Sequence, residues 1–169
     1  MILPQFPDYE INVSLYENVQ NAADIQSRVA ELPYAFIDAN MICSVEQLTA
    51  AIYRTLMEST YNRLRTKTLH SEVLLALSPT SNIGEAFKKF GVKSTSERLI
   101  VVQINENGSQ KIDDSLVQGD SVEFKDENLQ SYCDVDAIRK VYKLDKSFQS
   151  NNTSDLSRAL VDAIQLRGL

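Results

Sequence analysis

Four residues in the middle of the chain have side chains that could bind an anion: Arg63, Arg65, Lys67 and His70. They lie within one short stretch, residues 63–70, which we call the basic segment. Arg and Lys are the side chains that contact phosphate groups, so this spacing suits a ligand that carries phosphates. The alternative is a solvated loop whose charges balance nearby acids, as most surface charges do.

The basic segment belongs to a positively charged region of an otherwise acidic chain. The 169 residues carry 17 Lys and Arg against 23 Asp and Glu, which gives a net charge of −6. Between Arg54 and Arg98 there are eight bases and four acids, a local charge of +4, and the remainder holds nine bases and nineteen acids, a charge of −10. A protein that coats nucleic acid by global attraction is therefore disfavoured, and any contact with phosphates should be local.

Residue patterns that would indicate an enzyme are missing from the sequence, which has no GxGxxG, GxxxxGK, GxSxG or HExxH. His70, Ser71 and Glu72 are adjacent and so point in different directions, which excludes a catalytic triad. Cys43 and Cys133 have no CxxC spacing and no neighbouring His, so we expect reduced thiols and no zinc site. We predict a non-catalytic protein without metal or cofactor; a small enzyme with an unrecognised pocket is the alternative.

Two strands and a helix are predicted ahead of the basic segment. Apolar and polar residues alternate over residues 10–16, which indicates a half-buried strand. Apolar residues then recur at helical spacing from Asn18, and Pro33 ends this helix. The short apolar run at residues 35–37 could form a second strand.

The basic segment is predicted to join a long helix to a buried strand. Ser44 and Gln47 form a capping box, and the apolar stripe after them predicts a helix that runs to about Asn62 or Leu64. Residues 72–77 are almost continuously apolar, which is typical of a strand covered on both faces. We expect this strand to be central in a sheet.

A second capping box, Asn82 with Glu85, predicts a short helix after that strand. The helix should end on Gly91, a residue suited to the left-handed conformation after a helix. Residues 98–104 form the clearest β-rich run in the chain and predict another strand.

Past Asp113 the sequence predicts helices and no further strand. Helical stretches are expected at residues 115–119, 126–133 and 135–144, followed by a polar connection and a last helix within residues 153–166. The apolar stripe of that helix consists of Leu156, Ala159, Leu160, Ala163 and Ile164. Further apolar residues lie off the stripe, so the helix could bury a second side against a partner or simply dock on its own domain.

These elements predict one domain, residues 1–169, of the α/β class and α+β type. A small mixed β-sheet packed with several helices should occupy residues 1–112, and residues 113–169 should be mainly helical. The chain has no apolar run of membrane-spanning length and no recognisable targeting segment at its start. We therefore expect a protein of the nucleus and cytoplasm.

The order of its segments gives the chain a resemblance to a known family. RLRTKTLHSEVLLALSPTSNIGEAFKKFG, residues 63–91, is flanked by PQFPDYEINVSLYENVQNA and AFIDANMICSVEQLTAAIYRTL before it and by IRKVYKL and SRALVDAIQLRG after it. In this order the segments resemble the small kinase-binding subunit of the KEOPS complex, also called EKC, of the TPRKB-like family, and especially its fungal members. The resemblance covers nearly the whole chain, and its specificity lies in the collinear set rather than in one motif.

The resemblance implies a subunit that helps hold the single-stranded 3′ CCA end of tRNA while the complex forms threonylcarbamoyl-adenosine, and it also implies a link to telomere maintenance. An RNA end needs cations for its phosphates and surfaces for its unstacked bases. The residues we expect to bind tRNA are Arg63, Arg65, Lys67, His70, Lys88 and Lys89. A stand-alone RNA-binding module is the alternative, and the net negative charge disfavours it.

The resemblance also implies direct docking on the small atypical kinase of the complex, whose ATPase activity the subunit would stimulate. We expect the last helix to provide the docking surface through Leu156, Leu160 and Ile164. Asn82, Ile83 and Phe87 could border the same surface or fill the core. Other subunits of the complex would be contacted indirectly.

Overall fold

A computed structural model of the chain describes residues 3–106, 112–144 and 153–166. Within these ranges lie four β-strands, seven α-helices and two short 3₁₀ turns, so the predicted α+β class is confirmed. None of the helices described is both long enough and apolar enough to cross a membrane.

The strands form one sheet in the order β2-β3-β1-β4. Their bounds are β1 (Tyr9–Glu17), β2 (Ala35–Asp38), β3 (Leu99–Glu106) and β4 (Asp120–Val122). Every pairing among these strands is antiparallel, so the sheet is not of the mixed kind that we expected. The longest pairing sets Ile11 of β1 opposite Ile104 of β3 and Leu15 opposite Ile100.

Side chains alternate between the two faces of each strand, and other parts of the chain cover both faces of the sheet. Ile11, Leu15 and Ile100 lie in the larger core, which most of the helices cover. Tyr16 and Phe36 lie in a smaller core on the opposite face. The region around the first helix and residues 112–117 covers that second face.

Three helices of the first half begin with side-chain caps that fix where the chain turns. The seven helices are α1 (Ala22–Arg28), α2 (Val45–Thr60), α3 (Leu69–Leu77), α4 (Ile83–Phe90), α5 (Asp126–Tyr132), α6 (Val135–Val141) and α7 (Thr153–Leu166). The backbone N–H groups of Gln47, Ser71 and Glu85 each donate over 3.0 Å to the side-chain oxygens of Ser44, Thr68 and Asn82. These caps satisfy donors that a helix start leaves unpaired, so α2, α3 and α4 begin at defined residues.

The predicted strand at residues 72–77 is wrong, because these residues form most of helix α3. All six are buried, and a helix that is apolar around its whole circumference gives the same continuous run as a buried strand. The informative signal was the Thr68 cap ahead of the run.

The stretch at residues 115–119 is not helical, and a further strand, β4, follows it. β4 pairs with β1 at the edge of the sheet, so the prediction of no strand past Asp113 is also wrong. Three exposed or half-exposed residues carry too little apolar pattern to be recognised as a strand. The long helix α2 ends at Thr60, slightly before the predicted Asn62 or Leu64.

Gly91 follows α4 as predicted but in an extended conformation, with φ −73° and ψ 166°, and not in the left-handed one. The reason for a glycine here is close packing, because a Cβ atom would lie 2.5 Å from the carbonyl oxygen of Phe87. Gly91 also forms an isolated bridge with Ile37 of β2. The end of α4 is thereby joined to the edge of the sheet.

Tyr142 ties four helices together inside the larger core. Its hydroxyl donates to the carbonyl oxygen of Leu77 at the end of α3 and accepts a hydrogen bond of 3.2 Å from the side-chain amide of Gln47 in α2. Its ring meets the ring of Phe90 in α4 edge to face at 5.7 Å. Tyr142 itself caps the end of α6, so it is a core residue rather than a pocket residue.

The last helix, α7, agrees with the predicted range and packs along α2. Leu156, Leu160 and Ile164 are buried in this contact. Ser157 and Ser44, the cap residue of α2, form a hydrogen bond of 2.6 Å. The side chain of Arg54 in α2 donates to the carbonyl oxygen of Ile164, so polar contacts fix α7 at both ends.

Candidate functional site

The basic segment begins as the loop between α2 and α3 and ends in the first turn of α3. Arg65 and Lys67 are exposed there, whereas Thr66 between them is half-buried. Arg63 is also exposed, but its guanidinium is 3.2 Å from the carboxylate of Glu58 and stacks 5.1 Å from the centre of the Tyr61 ring. Arg65 and Lys67 are therefore the better placed cations for a ligand.

The buried carboxylate of Glu72 accepts hydrogen bonds from this loop. One oxygen of Glu72 accepts hydrogen bonds from the N–H of Arg65 at 3.1 Å, the N–H of Thr66 at 2.9 Å and the hydroxyl of Thr66 at 2.7 Å. Glu72 is 1% exposed and lies one turn into α3. The loop is thus hydrogen-bonded to the helix that follows it.

His70 differs from the other members of the basic segment because it is not a cation. Its Nε2 accepts the backbone N–H of Ile104 in β3 at 3.1 Å, which requires an unprotonated nitrogen. Burial also lowers the pKa of His70 below its usual value. At neutral pH the imidazole is uncharged, so it joins α3 to the sheet and adds no positive charge.

A cavity of about 740 Å³ lies beside the basic segment, between α1, β2, α3 and α4. We call it the α3–α4 pocket. Its wall is largely apolar and includes Phe36, Leu74 and Phe87. The polar side chains in its lining include Thr68, His70, Ser71 and Lys88. Such a volume is within the range of about 300 to 1,000 Å³ that is usual for small-ligand sites.

Of the six predicted tRNA-binding residues, the structure places His70 and Lys88 in the lining of this pocket. Lys88 lines it from α4, and Thr68, the neighbour of Lys67, lines it from the other side. Lys89 is exposed on α4 and is not among the lining residues. Lys88 is therefore the one cationic side chain among the described lining residues, whereas Arg65 and Lys67 lie in the loop that leads to the lining residue Thr68 and Arg63 stays with Glu58.

Helix α4 exposes apolar side chains, which answers one question that the sequence left open. Ile83 is 36% and Phe87 is 40% exposed, one helical turn apart, so they do not fill the core. We call these two residues the α4 patch. Asn82 is also exposed, but its side-chain oxygen is occupied as the cap of α4.

The other three predicted kinase-binding residues do not form an exposed surface. Leu156 is 2% exposed, and Leu160 and Ile164 are 0% exposed, because all three pack inside the chain's own core. The stripe that the sequence reveals is the side of α7 that covers α2. Of the apolar residues off the stripe, Val161 is half-buried, and the side chain of Leu166 and residue Leu169 are outside the described part of the structure.

Sequence reasoning missed two residues of this region. Tyr61 is 61% exposed, the most exposed large apolar residue among those described, and it stacks with Arg63. Its position just after a long helix, next to a basic segment, was the available signal. Glu72 was assigned to a strand, and only its spacing from the cap residue Thr68 could have placed it beneath the loop.

Burial disfavours the reactive thiolate form of both cysteines. Cys43 is buried, and burial raises its pKa to about 12, so it stays a thiol at neutral pH. Burial also raises the pKa of Cys133. Over residues 3–106, 112–144 and 153–166, no three His, Cys, Asp or Glu side chains cluster in a way that could hold a metal ion.

Comparison with known proteins places these features in a family. The family model described as kinase binding protein CGI-121 matches residues 16–168. A protein of Candida glabrata named EKC/KEOPS complex subunit CGI121 is 48% identical over 99% of this chain and 98% of its own length. Proteins with the same name in Eremothecium gossypii and Schizosaccharomyces pombe are 47% and 39% identical, over 99% of this chain and 97% and 99% of their own lengths.

Proposed function

Since the chain belongs to the family of kinase binding proteins CGI-121, we propose that it is a non-catalytic regulatory subunit of an EKC/KEOPS complex. In this role it docks on the small atypical kinase of the complex, stimulates the ATPase activity of that kinase, and helps hold the 3′ CCA end of tRNA for threonylcarbamoyl-adenosine formation. The names of the fungal relatives and the description of the family support the subunit and kinase parts of the proposal. Association with telomere maintenance and presence in nucleus and cytoplasm belong to the same proposal.

The observation that supports the RNA part is an apolar pocket lined by Lys88, together with exposed Arg65 and Lys67 in the loop that leads to the lining residue Thr68. Unstacked bases need apolar or aromatic surfaces, which the largely apolar wall of the pocket offers, and phosphates need Arg or Lys. Lys88 is exposed and lines the pocket, and Arg65 and Lys67 are exposed in the loop that precedes the lining residue Thr68. A small concave site suits a single-stranded end better than a duplex, whose bases are stacked inside.

The charge of the chain limits how tightly it can bind RNA alone. With a net charge of −6, long-range attraction to tRNA is absent, so affinity depends on a few local phosphate contacts. We therefore propose that the other subunits share the tRNA. Titrations should show a shallow salt dependence, with a slope of log K against log salt of about −0.7 per contact for a single strand.

We propose that the kinase docks on the α4 patch rather than on α7. Ile83 and Phe87 present apolar area that is not covered within the chain, and burying the exposed third or so of each side chain contributes about 0.5 to 1.2 kcal/mol each before association costs. Because Phe87 also borders the α3–α4 pocket, a docked kinase would lie next to the RNA end. The subunit would then act by positioning, with two ligands held on one rigid domain.

The RNA part can be tested by filter binding with the purified full chain. Wild type should bind intact tRNA more tightly than tRNA that lacks its CCA end, and Arg65→Glu with Lys67→Glu should lower the affinity for intact tRNA. Equal binding of both tRNAs, or unchanged affinity of the double variant, would contradict the RNA assignment.

The kinase part can be tested separately. A tagged chain used in a pull-down from native extract should recover the kinase, and the double variant at Arg65 and Lys67 should still recover it. The enzyme alternative is tested by assaying nucleotide and RNA turnover with the chain alone, where activity without the kinase would favour that alternative.

A further inference from the structure

We propose that Glu72 is a positioning residue for RNA binding: its buried carboxylate shapes the loop so that Arg65 and Lys67 project together toward the ligand. The inference rests on the proposed binding of an RNA end. It adds an acidic residue to a cationic site, which neither the charge pattern nor the family description suggests.

The contacts of Glu72 are those of a structural anchor for the loop rather than of a surface ion pair. A carboxylate that is 1% exposed is costly unless its oxygens accept hydrogen bonds. One oxygen of Glu72 accepts three, and all three donors belong to Arg65 and Thr66. Two of those donors are backbone N–H groups, so Glu72 fixes the path of the chain itself.

The path so fixed determines where the cations point. Thr66 is turned inward to Glu72 and is half-buried, while Arg65 and Lys67 on either side of it are exposed. Thr68 then caps α3, with its hydroxyl oxygen accepting from the N–H of Ser71 at 3.0 Å. The loop is therefore hydrogen-bonded to α3 through both Thr66 and Thr68.

A loop that is already ordered in the free protein binds its ligand more tightly, because no conformational entropy of the loop has to be lost during binding. Without the Glu72 anchor, Arg65 and Lys67 would still be present but would have to be ordered when RNA binds. We expect a loss of about tenfold in tRNA affinity, which corresponds to a few immobilised side chains and backbone groups.

The expected change in tRNA affinity on removing Glu72 is opposite to the change that charge alone would cause. Removing a negative charge near a bound polyanion should strengthen binding by Coulomb's law. The positioning role predicts the reverse for Glu72. Glu58 is the matched control, because its carboxylate lies 3.2 Å from Arg63 but makes no described hydrogen bond to the backbone of residues 65–66.

The experiment is filter binding of intact tRNA to the full chain, with folding checked by circular dichroism and thermal unfolding. Glu72→Ala should lower the affinity about tenfold, and Glu58→Ala should leave it unchanged or raise it. Glu72→Gln keeps an acceptor oxygen and should recover part of the loss. In an Arg65→Gln background, Glu72→Ala should cost less than in wild type, because both changes act through one loop.

Thr66→Val is the second variant, because Glu72→Ala could fail to fold. It removes one hydroxyl donor, keeps the backbone bonds and should weaken tRNA binding about twofold to threefold. Higher affinity of Glu72→Ala, or an equal loss with and without Arg65, would overturn the positioning role. Should the Arg65 and Lys67 charge reversal lower affinity while Glu72→Ala does not, only this inference fails; should the charge reversal have no effect, the proposed RNA surface fails instead.

Discussion

Helices α4 and α7 both carry an apolar stripe, yet they use it in opposite ways. In α4 the residues Ile83 and Phe87 are 36% and 40% exposed, whereas Leu160 and Ile164 of α7 are 0% exposed. The stripe of α7 is covered by α2 of the same chain. An amphipathic stripe in a sequence thus does not show whether that face of the helix is covered by the rest of the chain or stays exposed.

The largest expected effect is the loss of folding stability that a cavity between α7 and α2 would cause. Leu160→Ala should lower the free energy of unfolding by about 2 to 5 kcal/mol, because Leu160 is wholly buried against α2. The measurement is urea unfolding followed by circular dichroism. A stability within about 0.5 kcal/mol of wild type would mean that α7 is not part of the core.

Charge on the α4 patch should have the complementary effect. Ile83→Glu with Phe87→Glu should lower kinase affinity at least tenfold, about 1.4 kcal/mol, while the stability of the free chain changes little. Co-purification and a titration with the isolated kinase measure the first quantity, and urea unfolding measures the second. Normal kinase binding by the folded variant would exclude the α4 patch as the docking surface.

Two neighbouring lysines of α4 allow a test of whether the pocket itself, rather than charge alone, contributes to tRNA binding. Lys88 lines the α3–α4 pocket and Lys89 does not, although both are exposed and equally charged. Lys88→Ala should therefore weaken tRNA binding more than Lys89→Ala, by about twofold to threefold in filter binding. Equal effects would indicate attraction by charge alone, without the pocket.

The smallest expected effect is a loss of folding stability on acidification, through His70, which lines the α3–α4 pocket and is not part of α7. The folded-state pKa of His70 lies below its unfolded value of about 6.5, so the unfolded chain binds more protons between these values. His70 therefore contributes stability that is fully present above about pH 6.5 and is lost as the pH falls toward the folded pKa.

The control for that pH effect is His70→Gln, whose side-chain oxygen can still accept the N–H of Ile104 but does not titrate. Urea unfolding at pH 7 and pH 5.5 should show a larger loss for wild type than for the variant. Parallel losses would mean that other groups, and not His70, carry the pH dependence in this range.

Much of the fold could be predicted from local patterns that act within one element. Alternation identified β1, and the apolar β-branched run identified β3. The side-chain caps at Ser44 and Asn82 gave the starts of α2 and α4. Each of these signals depends only on residues that are close together in the sequence, so the sequence alone is sufficient to recognise it.

The errors occurred where the outcome depends on distant residues. Helix α3 was mistaken for a strand because contacts from several sides bury its whole circumference, which removes the period that distinguishes the two. Strand β4 is defined by its pairing with β1, about one hundred residues earlier, rather than by its own composition. Burial of the α7 stripe likewise depends on α2.

The candidate site was predicted as a set of cations but not as a shape. Arg65, Lys67 and Lys88 were identified by charge, and the structure exposes all three. The α3–α4 pocket combines residues from Gln26 to Val92, so no single segment indicates it. Glu72 was missed because its importance lies in what it holds rather than in its own charge.

The hydrogen bond between Ser44 and Ser157 has a practical consequence for mapping experiments. A fragment that stops before residue 153 would strip α2 of its cover and remove a partner from its capping serine. Such a fragment should be recovered as insoluble or aggregated material. Deletion mapping from the carboxyl end would then misassign the lost interaction to α7, and point substitutions are the sounder way to locate the kinase contact.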